Sequence, residues 1–190
     1  MKKYELLAES KTNFYGRDLF RIKALVSFTT VSGYKVEAGD IGGWIEKESN
    51  LSHEGNAWVY GDAEVRGNAE VCGDAEVFGN ARVYGDANVY GNANVCDNAR
   101  VCGNAWVYGN AVICGDAKVS SNKDYTVFKN FWSSGRYFTY TLSNKMWTAG
   151  CFHGTGSELV KKAYEDSEES GKYYEAHVKF VESLEALSQS

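Results

Sequence analysis

From Gly55 to Ser120 the apolar and polar positions recur with a period of six and no insertion. The stretch reads GNAWVY GDAEVR GNAEVC GDAEVF GNARVY GDANVY GNANVC DNARVC GNAWVY GNAVIC GDAKVS, eleven hexads in all. The first position is Gly except at Asp97, the second Asn or Asp, the third always Ala, and the fifth Val except at Ile113. Residues two apart on an extended chain point the same way, so Ala and Val share one side and the fourth and sixth positions share the other. The Gly-Asn and Gly-Asp pairs then turn the chain, because these residues tolerate left-handed backbone. Each hexad is a short strand plus a corner, and its Val is buried only when coils stack.

The predicted interior is Val59, Val65, Val71, Val77, Val83, Val89, Val95, Val101, Val107, Ile113 and Val119. At roughly 1.5–3 kcal/mol for each buried β-branched side chain, this is enough to stabilise a thin rod. Around the rod the pattern divides the chain into an N-terminal β cap (residues 1–50), the repeat (51–120) and a small α+β domain (121–190). Tyr4–Leu7 and Leu19–Leu25 read as strands about a turn at 13–18, and a cap is expected because an open solenoid end exposes unpaired backbone. Beyond the repeat, Tyr125–Trp132 and Tyr137–Leu142 flank Ser133-Ser134-Gly135-Arg136 as a hairpin, with a third strand from Met146 to Phe152. Thr155-Gly-Ser-Glu158 is a capping box opening a helix that Gly171 is expected to end. A last helix from about Lys172 to Ser188 places Tyr173, His177, Phe180, Leu184 and Leu187 on one stripe, against the hairpin or a second copy.

The repeat resembles the hexapeptide-repeat proteins, which form left-handed parallel β-helices. That resemblance implies three hexads per triangular coil, so 66 residues make about 3.7 coils. The implied fold class is an all-β solenoid with a β N-terminal cap and a small α+β C-terminal domain. The chain also resembles phage and prophage proteins through AGDIGGWIEKESNLSHEGNAWVYG at 38–61 and through FKNFWSSGRYF and MWTAGCFHGTG between 128 and 156.

Composition narrows the function classes. No apolar run reaches membrane-spanning length, and MKKYELLAES lacks the apolar stretch of a secretion signal, so a cytoplasmic location and no membrane partner are expected. The five Cys include four at outward repeat positions, Cys72, Cys96, Cys102 and Cys114, which suits a reducing compartment better than a disulfide framework. The net charge of −5 divides as +1 over residues 1–50, −5 over 51–120 and −1 over 121–190. No basic cluster marks a nucleic-acid groove, and the repeat is less acidic than a DNA mimic requires. Arg17, Arg21 and Lys23 offer an anion site only as the alternative to a solvated face.

Many hexapeptide-repeat proteins are acyltransferases in which a coil His deprotonates the acceptor. Such a base must titrate near neutrality, and the repeat contains no His. His53 precedes it, His153 follows the third predicted strand beside Cys151, and His177 falls on the last helix as a packing residue. A strand-end Cys and a turn His are the simpler reading of 151–153. No metal site of zinc or calcium spacing and no cofactor is expected.

Positions eighteen apart should stack, giving three outward ladders: Tyr60, Phe78, Cys96 and Cys114; Arg66, Tyr84, Cys102 and Ser120; Cys72, Tyr90 and Tyr108. Apolar strips on a solenoid face mark interfaces, and Tyr and Trp anchor them. Trp58, Tyr60, Phe78, Tyr84, Tyr90, Trp106, Tyr108, Tyr173, Phe180 and Leu184 are therefore the interface candidates, in a dimer or trimer of this chain. The expected function is a non-enzymatic, oligomeric binding protein or scaffold, phage-associated and engaging a host protein, for example as a defence inhibitor. An acyltransferase and a small-nucleotide sponge between subunits are the alternatives.

Overall fold

A computed structural model describes residues 2–188. Two long strands, β1 (Tyr4–Thr12) and β2 (Asp18–Ala24), pair antiparallel. A small hairpin of β3 (Phe28–Thr29) and β4 (Lys35–Val36) follows, and then β5 (Ile41–Ile45). Each hexad contributes one two-residue strand from its fourth and fifth positions, β6 (Trp58–Val59) through β16 (Lys118–Val119). Strands three hexads apart pair in parallel: Arg82 lies between Glu64 and Arg100, and Asn94 between Glu76 and Val112. The result is a parallel β-solenoid of about four turns with three faces. One face carries β7, β10, β13 and β16; the second, β8, β11 and β14; the third, β6, β9, β12 and β15.

The eleven predicted interior residues, Val59 to Val119, are each 0% exposed, and the hexad alanines fill the space between them. The corners show why the first position is Gly. Gly85 has φ +78°, and a Cβ there would stand 3.1 Å from the amide nitrogen of Gly103 in the next coil. Asp97 adopts the same left-handed backbone at φ 57°, the one corner of the repeat where a side chain accepts that cost.

The solenoid begins before the repeat. Trp44 and Ile45 of β5 pair in parallel with Glu64 and Val65, and Leu51 bridges Val71. Ile45 and Leu51 thus take the inward places of an incomplete coil at a stride of twenty rather than eighteen, which a six-residue template does not register. β2 then continues the face of β5 antiparallel, and β1 closes its edge.

A rod of parallel strands has unlike ends. Each coil donates its amides to the carbonyls of the coil after it, as in Asp62 to Gly79 and Asn68 to Gly85. The first repeat coil therefore presents unpaired carbonyls, and three side chains supply donors. Lys3 Nζ donates to Gly55 and Ala57, Arg21 donates to Gly61, and Asn50 Nδ2 donates to Gly67 and Ala69. The last coil presents unpaired amides, and side chains on each of its faces supply acceptors. Trp106 N–H donates to Asn122, Val112 N–H to Thr139, and Lys118 N–H to Ser143. Buried backbone polar groups require such partners. Arg21 is thereby committed to capping, while Arg17 pairs with Glu46.

Beyond the rod, β17 (Tyr125–Lys129), β18 (Tyr137–Thr141), β19 (Met146–Ala149) and β20 (Phe152–Gly154) form an antiparallel meander. The single strand expected from Met146 to Phe152 is two, because Gly150, at φ 61°, turns the chain between Ala149 and Phe152. Two helices pack on this sheet: α1 (Gly156–Asp166), whose Thr155–Glu158 capping box is present, and α2 (Glu168–Ser188). Gly171 does not end a helix. It lies in the first turns of α2, where a Cβ would run into the Tyr164 ring of α1, and the break falls at Ser167 instead. The inward face of α2 is Tyr174, Val178 and Val181 against Phe138 and Trp147, not the Phe180–Leu184–Leu187 stripe, which faces outward. No helix among the described residues is long and apolar enough to cross a membrane.

Candidate functional site

The third face of the rod forms the floor of a groove of about 940 Å³. Asn94 and Val112 stand on the floor. At one end the β3–β4 turn contributes Val31 and Ser32; at the other, the C-terminal sheet contributes Arg136, Tyr137 and residues 150–153. Segments of three remote parts of the chain thus enclose one concave surface. The turn is fixed by Glu76, which is 0% exposed although it holds an outward hexad position. Its carboxylate accepts from the Ser32 N–H at 2.8 Å, the Ser32 hydroxyl at 2.9 Å and the Tyr60 hydroxyl at 3.2 Å.

Tyr34, Tyr60 and Phe78 stack along this face, with ring centroids 4.6 and 4.9 Å apart. Cys96 and Cys114 continue the ladder. Their Cα atoms are 4.7 Å apart and their sulfurs are joined as a disulfide, contrary to the expectation of free thiols. An eighteen-residue stride makes these two cysteines neighbours, and both line the groove with Cys151. Among the described residues Cys72, Cys102 and Cys151 are free.

His153 is the one histidine on the groove. Its Nδ1 lies 3.0 Å from the Thr148 hydroxyl, and its Nε2 is 2.7 Å from where a Cβ on Gly115 would stand. The side chain is exposed, so it is open to a ligand. His53 is built into the N-terminal cap instead. It stacks on Tyr4 at 4.3 Å, its Nδ1 accepts the Lys3 N–H at 3.2 Å, and burial holds its pKa below the usual histidine value. His177 sits among Phe128, Trp132 and Phe138, with Nδ1 2.8 Å from the Tyr173 carbonyl.

The interface candidates separate into two sets. Trp58 is 1% exposed and packs inside this chain against Phe28 and Tyr4, so it presents nothing to a partner. The cap that covers it comes from residues whose arrival the hexad pattern does not signal. Tyr60 and Phe78 are half-buried in the ladder under Tyr34. Tyr84 lies over the Arg66 guanidinium at 4.3 Å, Tyr90 stacks on Tyr108 at 5.3 Å, and Tyr173 stacks on Trp132 at 4.7 Å. Trp106, Tyr108, Phe180 and Leu184 remain about half exposed.

Sequence reasoning missed Asp97 and Arg136, which line the groove, and Glu76, which lies buried behind it and holds the turn at its rim. The signal for Asp97 was available, as the lone departure from Gly at the first hexad position. Glu76 and Arg136 carried none, since each is ordinary in its local pattern.

No protein-family model matches the chain. Over 62 residues it is 37% identical to a protein of Escherichia coli (strain K12) described as the uncharacterized acetyltransferase YdcK. That stretch covers 32% of this chain and 19% of the relative, so the similarity spans less than a fifth of the relative's length.

Proposed function

We propose that this chain is a binding protein whose working surface is the groove on the third face of the rod. The observation that carries the reading is its construction: a 940 Å³ cleft walled by the β3–β4 turn, the repeat and the C-terminal sheet, with the turn locked by Glu76. Clefts of this size with a few convergent polar groups are the usual form of ligand sites. The coils themselves hold no His, which favours binding over chemistry along the rod. Trp106, Tyr108, Phe180 and Leu184, each about half exposed, support self-association. The finer form, a phage-encoded protein engaging a host protein, rests on the resemblance of the segments flanking the repeat. The test is affinity capture from bacterial lysate and metabolite extract, with Val112→Arg as the blocked-groove control. A species retained by the native protein and lost from the variant is expected; recovery of the protein alone defeats the reading.

Acetyl transfer is the second reading, supported by the acetyltransferase similarity and by His153 on the groove. His153 Nε2 would take the proton of an acceptor amine or hydroxyl as it attacks a thioester carbonyl, and the donor thiolate would leave. Thr148 would hold the ring by its Nδ1. Turnover of acetyl-coenzyme A by native protein, abolished in His153→Ala with an unchanged melting temperature, supports this reading. Absence of turnover with a broad acceptor panel removes it.

A further inference from the structure

We propose that the Cys96–Cys114 pair is the redox-controlled half of a metal site. In the dithiol state, the two thiolates and the Asp97 carboxylate bind one thiophilic divalent cation, of which zinc is the type, and oxidation to the disulfide expels it. One ligand atom from each of the three residues lies within 4.8 Å of the others. Two thiolates on a tetrahedral zinc, each with a bond of about 2.3 Å, stand about 3.8 Å apart. Side chains projecting in parallel from Cα atoms 4.7 Å apart reach that separation without moving the coils.

Asp97 is the independent observation. The other ten hexads place Gly at this corner, and left-handed backbone costs a non-glycine residue about 1–3 kcal/mol. Its Oδ2 accepts one hydrogen bond, from the Gly115 N–H at 3.1 Å, and its other oxygen accepts none among the described residues. The strained acid thus stands beside the one place where two outward cysteines of successive coils meet. Cys102, in another ladder, has Tyr84 before it and Ser120 after it and gains no acid. The site lines the groove, so a fourth coordination position faces open space, and His153 stands over the same Gly115 corner. Three protein ligands with an open position are the arrangement in which zinc binds a further ligand.

The chemistry balances with an external thiol. Two equivalents reduce the disulfide to two protein thiols and leave as their own disulfide; the cation then displaces the two thiol protons. In the reverse direction an external disulfide is the oxidant: it takes two electrons from the thiolate pair and two protons from solvent, leaves as two thiols, and the cation departs as Cys96 and Cys114 join. Cation binding at this corner requires no ligand elsewhere in the groove, so its failure leaves the groove reading standing, and the reverse holds.

The probe is cobalt(II), titrated into full-length protein reduced with a phosphine and then freed of reductant. One equivalent is expected to bind with a thiolate-to-cobalt charge-transfer band, and zinc should displace it. Cys96→Ser and Cys114→Ser should lose the band, whereas Cys72→Ser and Cys151→Ser should keep it. Asp97→Gly restores the repeat's own residue, so its metal-free melting temperature should not fall, while its cobalt affinity should drop by more than about tenfold. Disulfide-bonded protein should bind none. Absence of the band in reduced native protein overturns the proposal. So does a titration unchanged by Cys96→Ser or Asp97→Gly.

Discussion

The Lys3 ammonium donates to the Ala57 carbonyl oxygen at 2.8 Å, placing a cation 4% exposed on the open end of the first coil. Burial, opposed by Asp74, brings its pKa from 10.5 down to about 8. The unfolded chain holds that proton to higher pH than the folded one, so this group makes stability rise with pH above about 8. Lys3→Met keeps the stem but strands the Gly55 and Ala57 carbonyls, and should cost about 1–3 kcal/mol. Thermal melts should show the native-minus-variant difference growing between pH 8 and about 9.5. Nearer pH 10, tyrosines whose hydroxyls burial pushes up, Tyr4 and Tyr60, act in the opposite direction.

On the acid side the responsive group is His53. Burial lowers its pKa, Glu48 opposes this, and Lys2 and Lys3 add to it. Below about pH 6.5 the unfolded chain takes up a proton that the folded cap refuses, so stability falls with falling pH. His53→Asn retains an acceptor for the Lys3 amide and removes the titration. Its melting temperature should be flat between pH 6.5 and 5, where the native protein declines.

Gly171→Ala should destabilise the C-terminal helices by about 1–3 kcal/mol, because the added methyl meets the Tyr164 ring where α1 and α2 cross. Tyr164→Ala in the same chain should recover most of the loss. Denaturant unfolding of the two single variants and the double variant measures the coupling; additive losses would show that the helices do not cross this closely.

Self-association predicts a sedimentation mass above the 21.0 kDa of one chain, lowered by Trp106→Glu with Tyr108→Ser, or by Phe180→Glu with Leu184→Glu. The pair that acts identifies the face. A mass of one chain across the accessible concentration range would leave these side chains as ordinary exposed apolar residues.

The repeat was legible because each hexad carries its whole structural instruction: a corner at Gly-Asn or Gly-Asp and an inward Ala and Val. The same rule placed Cys96 beside Cys114, and the stacking of Tyr60 on Phe78 follows from it. What the sequence hid depends on contacts between distant segments. Ile45 and Leu51 fill inward places without the hexad motif, Glu76 is buried by a turn forty-four residues earlier, and Trp58 is covered by Phe28 and Tyr4. Gly171 read as a stop because its local pattern is that of a helix end; the Tyr164 ring that demands a glycine comes from another helix. The groove was hidden for the same reason, since Ser32, Asp97 and His153 meet only after the coils are wound.

The donor cap of Lys3, Arg21 and Asn50 and the acceptor cap of Asn122, Thr139 and Ser143 make the middle of the molecule modular in length. A duplication of eighteen residues between them would lengthen the shaft by one storey and return both lids to their original bearings. A duplication of six would leave every valine inside yet swing one lid by a third of a revolution, moving His153 off the side that Ser32 overlooks. The length of the shaft is thus constrained less by the core than by the angle between its two ends.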